Sequence, residues 1–385
     1  MDKILNKALR REALTHQEAL FLFERVPLCD LAAAANEVRR ETVSDPGVVT
    51  WQIDRNVNIT NVCVSGCKFC NFHCRPAETE KAYVLSIEEY VPRIEQMLAL
   101  GGDQLLLQGG LHPRLGVDYY VGLFSELKRL FPTVKLHALG APEVAHIARI
   151  SSISTRETLE RLVAAGLDSL PGAGAEILVD EVRRAISPGK PTVVQWLDVM
   201  REAHAMNLPT SATMMYGHVE TPRDIVRHLM AVRDLQAGRP SGTHGFVAFI
   251  PWIFRSEGTV LEREGAAVER DGAREEPKPV STQFSPLEYL RVIALSRLVL
   301  NNIRNIQASW LTVGKETAQM ALHSGANDMG SIMIEENVVS SAGARNSFDA
   351  EGIQAAIRAA GFRPQLRDQL YRPRFLSCFS PENRP

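Results

Sequence analysis

The chain has 385 residues, 45% hydrophobic and 23% charged, a balance typical of soluble globular proteins with room for one large domain or two ordinary ones. Its formal net charge of −2 leaves no basic footprint for nucleic acid. No run approaches the ~18 apolar residues of a membrane span, and the charged N-terminus MDKILNKALRREALTHQEA lacks the apolar core of a secretory signal, so a reducing cytoplasm without disulfides is expected.

Residues 1–45 read as a helical extension. Thr15 with Glu18 three residues on is a capping-box pattern ahead of the apolar run at 19–23, and a second helix is predicted over 29–40. Beyond Pro46 short apolar strands alternate with longer amphipathic stretches. Strands are predicted at 49–59, 104–108, 134–139, 169–171, 210–216, 245–251, 305–310 and 327–330. Helices are predicted at 86–100, 118–130, 155–165, 193–206, 221–236, 286–302 and 315–323. Eight strand-plus-helix units in succession predict an α/β fold, a closed parallel (β/α)8 TIM-type barrel over 46–345, with an open doubly wound sheet as the alternative. Residues 257–284, including EREGAAVERDGAREEPKPV, read as a solvated insertion. A helix at 350–360 and a tail, within 346–385, would pack on the barrel.

A barrel concentrates functional residues just after its strands. Cys63, Cys67 and Cys70 follow the first, spaced C-x₃-C-x₂-C. Electron-transfer cubanes usually give each of four irons a thiolate, so three thiolates leave one iron open, and an open metal position marks a site for chemistry. The alternative is a zinc knuckle completed by His73 or Cys74. Cys29 and Cys378 stand alone and read as buried or inert thiols. Gly109 and Gly110 follow the second strand and let backbone approach a ligand closely, or simply turn the chain. Glu176 follows the fourth and either accepts ribose hydroxyls or caps a helix. His218 and Glu220 follow the fifth, and Asp328 closes the eighth; all three are candidates for acid–base work, with local structural roles as the alternative. Trp252 and Trp310 either wall an aromatic substrate or fill the core.

The segments NVCVSGCKFCNFH, LLLQGGLHP, LDSLPGAGAEILVDEVRR, TSATMMYGHVET, GFVAFIPWIF, IQASWLTVG and GANDMGSIMIEENVV together resemble the cyclic dehypoxanthinyl futalosine synthases, radical S-adenosylmethionine (SAM) enzymes of menaquinone biosynthesis by the futalosine route. The likeness runs from about Asp54 to Gly343. Aminofutalosine synthases and deazaflavin FO synthases share much of the block. The resemblance implies a [4Fe-4S] cluster on Cys63, Cys67 and Cys70, with SAM chelated to the open iron, Phe69 near its adenine, Gly109 and Gly110 along its amino group, and Glu176 as a SAM-binding acid. It further implies that a 5′-deoxyadenosyl radical takes the C4′ hydrogen of dehypoxanthine futalosine and that the carbon radical closes onto the benzoate ring. A flavodoxin or ferredoxin would supply the electron. The alternatives are an aminofutalosine synthase, which adds the adenosyl radical to its substrate, and a zinc-stabilised barrel without catalysis.

Overall fold

The structure is a computed structural model describing residues 2–78, 80–270, 273–274 and 285–376. Its strands are β1 (Val48–Gln52), β2 (Asp54–Asn58), β3 (Gln104–Gln108), β4 (Lys135–Ala138), β5 (Leu167–Ser169), β6 (Thr210–Tyr216), β7 (Phe246–Ile253), β8 (Glu269–Arg270), β9 (Ala273–Arg274), β10 (Asn305–Ile306), β11 (Asp328–Ser331) and β12 (Arg363–Leu366). Parallel pairing runs β2-β3-β4-β5 in one sheet and β6-β7-β10 in another. The bridge Leu170↔Thr210 joins β5 to β6, Gln307↔Asp328 joins β10 to β11, and Thr50↔Asp328 returns β11 to β1. With β1 and β2 as two halves of one strand, the parallel ring closes, and the open-sheet alternative falls.

The first strand is interrupted at Ile53 because its halves serve different neighbours. β1 lies between β11 and β12, whereas β2 pairs with β3 from Asp54↔Gln104 to Asn58↔Gln108. Outside the ring, helices bury their apolar stripes on the strands. Helix Ile87–Ala99, capped by Ser86 and Glu89, buries Tyr90, Ile94 and Met97, each contributing about 1.5–3 kcal/mol. The N-terminal helices Asp2–Leu9, His16–Arg25 and Leu28–Thr42 pack beside helix Pro286–Val299, which is buried along most of its length. The Thr15–Glu18 capping box forms: Thr15 N–H donates to Glu18 Oε2 at 2.8 Å, and Glu18 N–H to Thr15 Oγ1 at 3.2 Å. Among the described residues no helix is long and apolar enough to cross a membrane.

Three departures from the sequence reading matter for the site. Helix Ala141–Ser151 follows β4 almost directly, and helix Asp180–Ile186 follows β5 across the 170–179 loop that carries Glu176; neither was predicted. The segment from 257 is not wholly a solvated loop: helix Val260–Glu264 and the β8–β9 hairpin shape it, Ala266 and Val268 are buried, and Arg270 pairs with Asp224 at 2.8 Å. Its remainder, 275–284, lies outside the described residues. The C-terminal tail adds β12 alongside β1, and residues 367–371 then close the bottom of the barrel. Cys29 is exposed rather than buried, and Cys378 lies outside the described residues.

Candidate active site

A cavity of about 370 Å³ occupies the barrel, lined from Cys63 and Phe69 at one end to Arg367 and Tyr371 at the other. Its walls include Cys67, Cys70, Gly109, Gly110 and Glu176, so the expected cluster and SAM residues share one chamber. Trp252 and Trp310 both line it, Trp310 donating its indole N–H to Ser331 O at 3.1 Å.

The cysteine loop is held by backbone. Val64 N–H bonds Leu111 O, Lys68 N–H bonds Ile186 O, and Ser65 O accepts from Gly189 N–H, at 2.8–3.1 Å. Ser65 Oγ lies 2.9 Å from Cys63 Sγ and 3.2 Å from Cys67 Sγ, which puts the two sulfurs no more than about 6 Å apart. Leu111 N–H donates to Cys63 Sγ at 3.2 Å. Burial pushes the Cys67 thiol up to about 11 and the Cys70 thiol upward too, so these sulfurs become thiolates only against a strong positive partner such as a metal centre. The zinc alternative loses its fourth ligand. The Cys74 thiol turns to Glu78 O at 3.1 Å, and His73 Nδ1 contacts Cys70 O at 2.7 Å. Among the described residues no three His, Cys, Asp or Glu side chains converge on a single ion.

Gly110 has a role the sequence did not specify. A Cβ there would sit 2.2 Å from Val62 O and 2.9 Å from Cys63 Cβ, so the glycine lets β3's exit pack directly on the cysteine loop. Gly110→Ala should therefore displace that loop. The expected result is a severalfold drop in iron and sulfide bound after anaerobic reconstitution, measured beside an unchanged far-UV spectrum.

Glu176 sits in left-handed backbone (φ +45°), buried, and accepts from Lys190 Nζ at 2.5 Å. Lys190 also stands 5.1 Å above the Phe69 ring. Burial alone would lower the Lys190 ammonium, but Cys67 and Glu176 outweigh it and hold the charge in place. Lys190 escaped the sequence reading because it lies in the turn after helix Asp180–Ile186, not at a strand end. It gives the cysteine end a buried cation beside two groups that can carry negative charge.

The three acid–base candidates lie elsewhere; none of His218, Glu220 and Asp328 lines the cavity. Glu220 folds back to accept from Gly217 N–H at 2.5 Å and His218 N–H at 3.0 Å, and His218 Nδ1 lies 2.9 Å from its Oε2. Asp328 is fully buried and saturated by Arg367 Nε (2.7 Å) and Nη2 (2.9 Å), Thr50 Oγ1 (2.5 Å) and Gly330 N–H (2.8 Å). The His218–Glu220 pair makes a pH prediction. Burial by itself raises Glu220, but His218 brings it from 4.5 down to about 2; burial lowers His218, but Glu220 raises it above 6.5. Glu220 therefore stabilises above its unfolded value and loses that effect as pH falls toward about 2. His218 stabilises below its unfolded value and loses that effect as pH rises through its raised one. Melting curves of cluster-free wild type and Glu220→Gln should differ most between about pH 4.5 and 6.5 and converge on either side. A pH-independent difference would exclude the ion pair as its source.

Within the cavity, the strand residues Gln52, Asp54, Asn56 and Asn58 form a polar inward face, and burial raises the Asp54 carboxyl. Their signal was present as a period-two polar run in QIDRNVN.

Residues 57–232 match the radical SAM superfamily, and residues 243–378 match the CofH/MqnC C-terminal region. Over 96% of its length the chain is 42% identical to the cyclic dehypoxanthine futalosine synthase of Streptomyces coelicolor, covering 88% of that protein. It is 38% identical, over 96% of its length and 94% of the relative, to the enzyme of the same name from Halalkalibacterium halodurans. It is also 37% identical, over 96% of its length and 98% of the relative, to the 5-amino-6-(D-ribitylamino)uracil--L-tyrosine 4-hydroxyphenyl transferase of Methanococcoides burtonii. Among solved structures, the FeFe-hydrogenase maturase HydG superposes with a TM-score of 0.71 at 16% identity, covering 94% of this chain and 75% of that one. Methylornithine synthase (PylB) superposes with 0.67 at 18% identity, covering 95% and 98%. Likeness at that identity shows a shared fold.

Proposed function

The chain belongs to the radical SAM superfamily, in the family of the cyclic dehypoxanthine futalosine synthases, and from that membership we propose that it closes dehypoxanthine futalosine into its cyclic product. It is an enzyme of the futalosine route to menaquinone, and its cofactors are a [4Fe-4S] cluster and SAM. The observation that carries the proposal is the meeting of three cysteines, Glu176, Lys190 and a two-tryptophan wall in one chamber.

Cys63, Cys67 and Cys70 would hold three irons, with Phe69, Gly109, Gly110 and Glu176 around SAM and the Lys190 ammonium offered to its carboxylate. When bound, these cofactors supply a 5′-deoxyadenosyl radical able to take the C4′ hydrogen of a ribose. The protein's own work is positioning and exclusion: the barrel shields the substrate radical from solvent, and Trp252 and Trp310 give its aromatic ring a flat support. Loss of the C4′ hydrogen, addition of the resulting carbon radical to the ring, and release of one proton and of one electron to the oxidised enzyme or an external one-electron acceptor would together remove two hydrogens. None of His218, Glu220 and Asp328 is placed to receive that proton from the chamber as it stands. A low-potential donor such as flavodoxin or ferredoxin reduces the enzyme, which works in the cytoplasm.

The test is product mass. Anaerobic, reduced protein with SAM should convert dehypoxanthine futalosine to a species lighter by two hydrogens, with 5′-deoxyadenosine released alongside. The near-equal identity to the archaeal transferase supports a second reading, 4-hydroxyphenyl transfer to a ribitylaminouracil. Turnover of that compound with tyrosine, and none of dehypoxanthine futalosine, would establish the second and overturn the first. An adduct carrying the adenosine moiety would instead identify an aminofutalosine synthase.

A further inference from the structure

One wall of the chamber carries polar groups that neither the cysteine loop nor Glu176 engages. Asp54, Asn56 and Gln104 line the cavity at 7%, 4% and 1% exposure, and the register pair Asp54↔Gln104 sets two of them side by side on β2 and β3. Each holds an acceptor without a donor: Asp54 Oδ1, Asn56 Oδ1 and Gln104 Oε1. Gln104 Nε2 donates to Gln369 Oε1 at 3.2 Å. Burial raises the Asp54 carboxyl and hydrogen bonding from the Ser331 and Gln104 side chains works against it, with Oδ1 left without a partner. Gln52 on β1 presents the reverse. Its Oε1 accepts from Arg367 Nη1 at 2.7 Å, and its Nε2 has no acceptor.

The chamber's other carboxylates are engaged. Glu176 holds Lys190, Glu143 accepts from Gly140 N–H, and Glu336 accepts from the backbone N–H groups of Val338, Val339 and Ser340. Folded proteins leave few buried polar groups unpaired, so a cluster of them in one wall marks a surface completed by a ligand. Three acceptors and one donor suit a group that both gives and takes hydrogen bonds. An aromatic ring would leave all four unmet. Hydroxyl groups on adjacent carbons meet the pattern.

We propose that Asp54, Asn56, Gln104 and Gln52 form the subsite that receives the sugar hydroxyl groups of the substrate, with the Asp54 carboxylate as principal acceptor. The assignment rests on the ring-closure reading above. Gripping the hydroxyls fixes the sugar's rotation, and so decides which C–H is presented to the radical source.

The experiment uses reconstituted holoenzyme with saturating SAM and compares dehypoxanthine futalosine with its analogue lacking the C2 hydroxyl. Wild type should lose at least about 10²-fold in kcat/KM on the analogue, since sites built around a hydroxyl reject its absence strongly. Asp54→Asn should raise KM for the full substrate about 10–100-fold, leave SAM half-saturation unchanged, and shrink the preference for the C2 hydroxyl. Gln104→Leu should move the same way and decides the matter if Asp54→Asn does not fold. Wild-type turnover with undiminished hydroxyl preference in the folded variants overturns the subsite alone. Wild-type holoenzyme that leaves dehypoxanthine futalosine unchanged overturns the ring-closure reading, and the subsite's assigned ligand with it.

Discussion

Cys67→Ala protein is expected to fold as wild type does and to release no 5′-deoxyadenosine. The ring of strands closes through pairings from β1 to β11, none of which uses the cysteine loop. Cys67 is buried, yet its sulfur touches only Ser65 Oγ among polar partners, and losing one small buried group costs about 1 kcal/mol. The effect on the cofactor is far larger. Removing an outer partner of a metal ligand already costs roughly 10–100-fold in affinity or activity, and here a ligand itself would be gone, from a set of three. Iron and sulfide content, 5′-deoxyadenosine release and far-UV circular dichroism read the three consequences separately. Undiminished cluster content with full SAM cleavage would sink the assignment of Cys67. Collapse of the fold would revive the zinc-scaffold reading, in which the cysteines serve stability.

The barrel was legible because its strands are short apolar runs spaced by amphipathic helices, and the ring follows from their order. The cysteine loop was legible because ligand spacing is local. The rim carboxylates were misjudged for a physical reason: a position after a strand fixes where the backbone leaves the sheet, not where a side chain points. Glu220 turns back on its own Gly217 and His218 amides, and Asp328 turns to Arg367, 39 positions later, just past β12 on the far side of β1. β12 was invisible because Arg363-Pro364-Gln365-Leu366 has no strand-forming character of its own; its pairing with β1 makes it a strand. The inward face of β1 and β2 was written in the sequence but in the less familiar sense. Gln52, Asp54, Asn56 and Asn58 alternate as polar residues, and a search for apolar alternation passes over them. A barrel that must house a polar substrate reverses the usual rule on part of its inner surface.

Arg367→Met should be the most destabilising single change at the barrel floor, by about 3–5 kcal/mol, because it leaves a buried carboxylate without its cation. Arg367 and Asp328 are both almost fully buried, and two of the guanidinium nitrogens hold the two oxygens of Asp328 at 2.7 and 2.9 Å. Burial alone would lower the arginine, but Asp328 outweighs it and keeps the charge. The same guanidinium bonds Gln52 Oε1 and lies 3.8 Å over the Tyr371 ring, so it ties the C-terminal segment to β1 and β11 at once. Thr50 Oγ1 and Gly330 N–H remain to Asp328 in the variant, but neither supplies a positive charge. Urea unfolding of cluster-free protein measures the loss. Asp328→Asn with Arg367→Met should recover most of it, since a buried pair replaced at both ends is often close to neutral. If Arg367→Met alone stays within about 1 kcal/mol of wild type, the pair does not hold the floor. If the double variant is no better than the single, the cost lies in lost packing rather than in an orphaned charge.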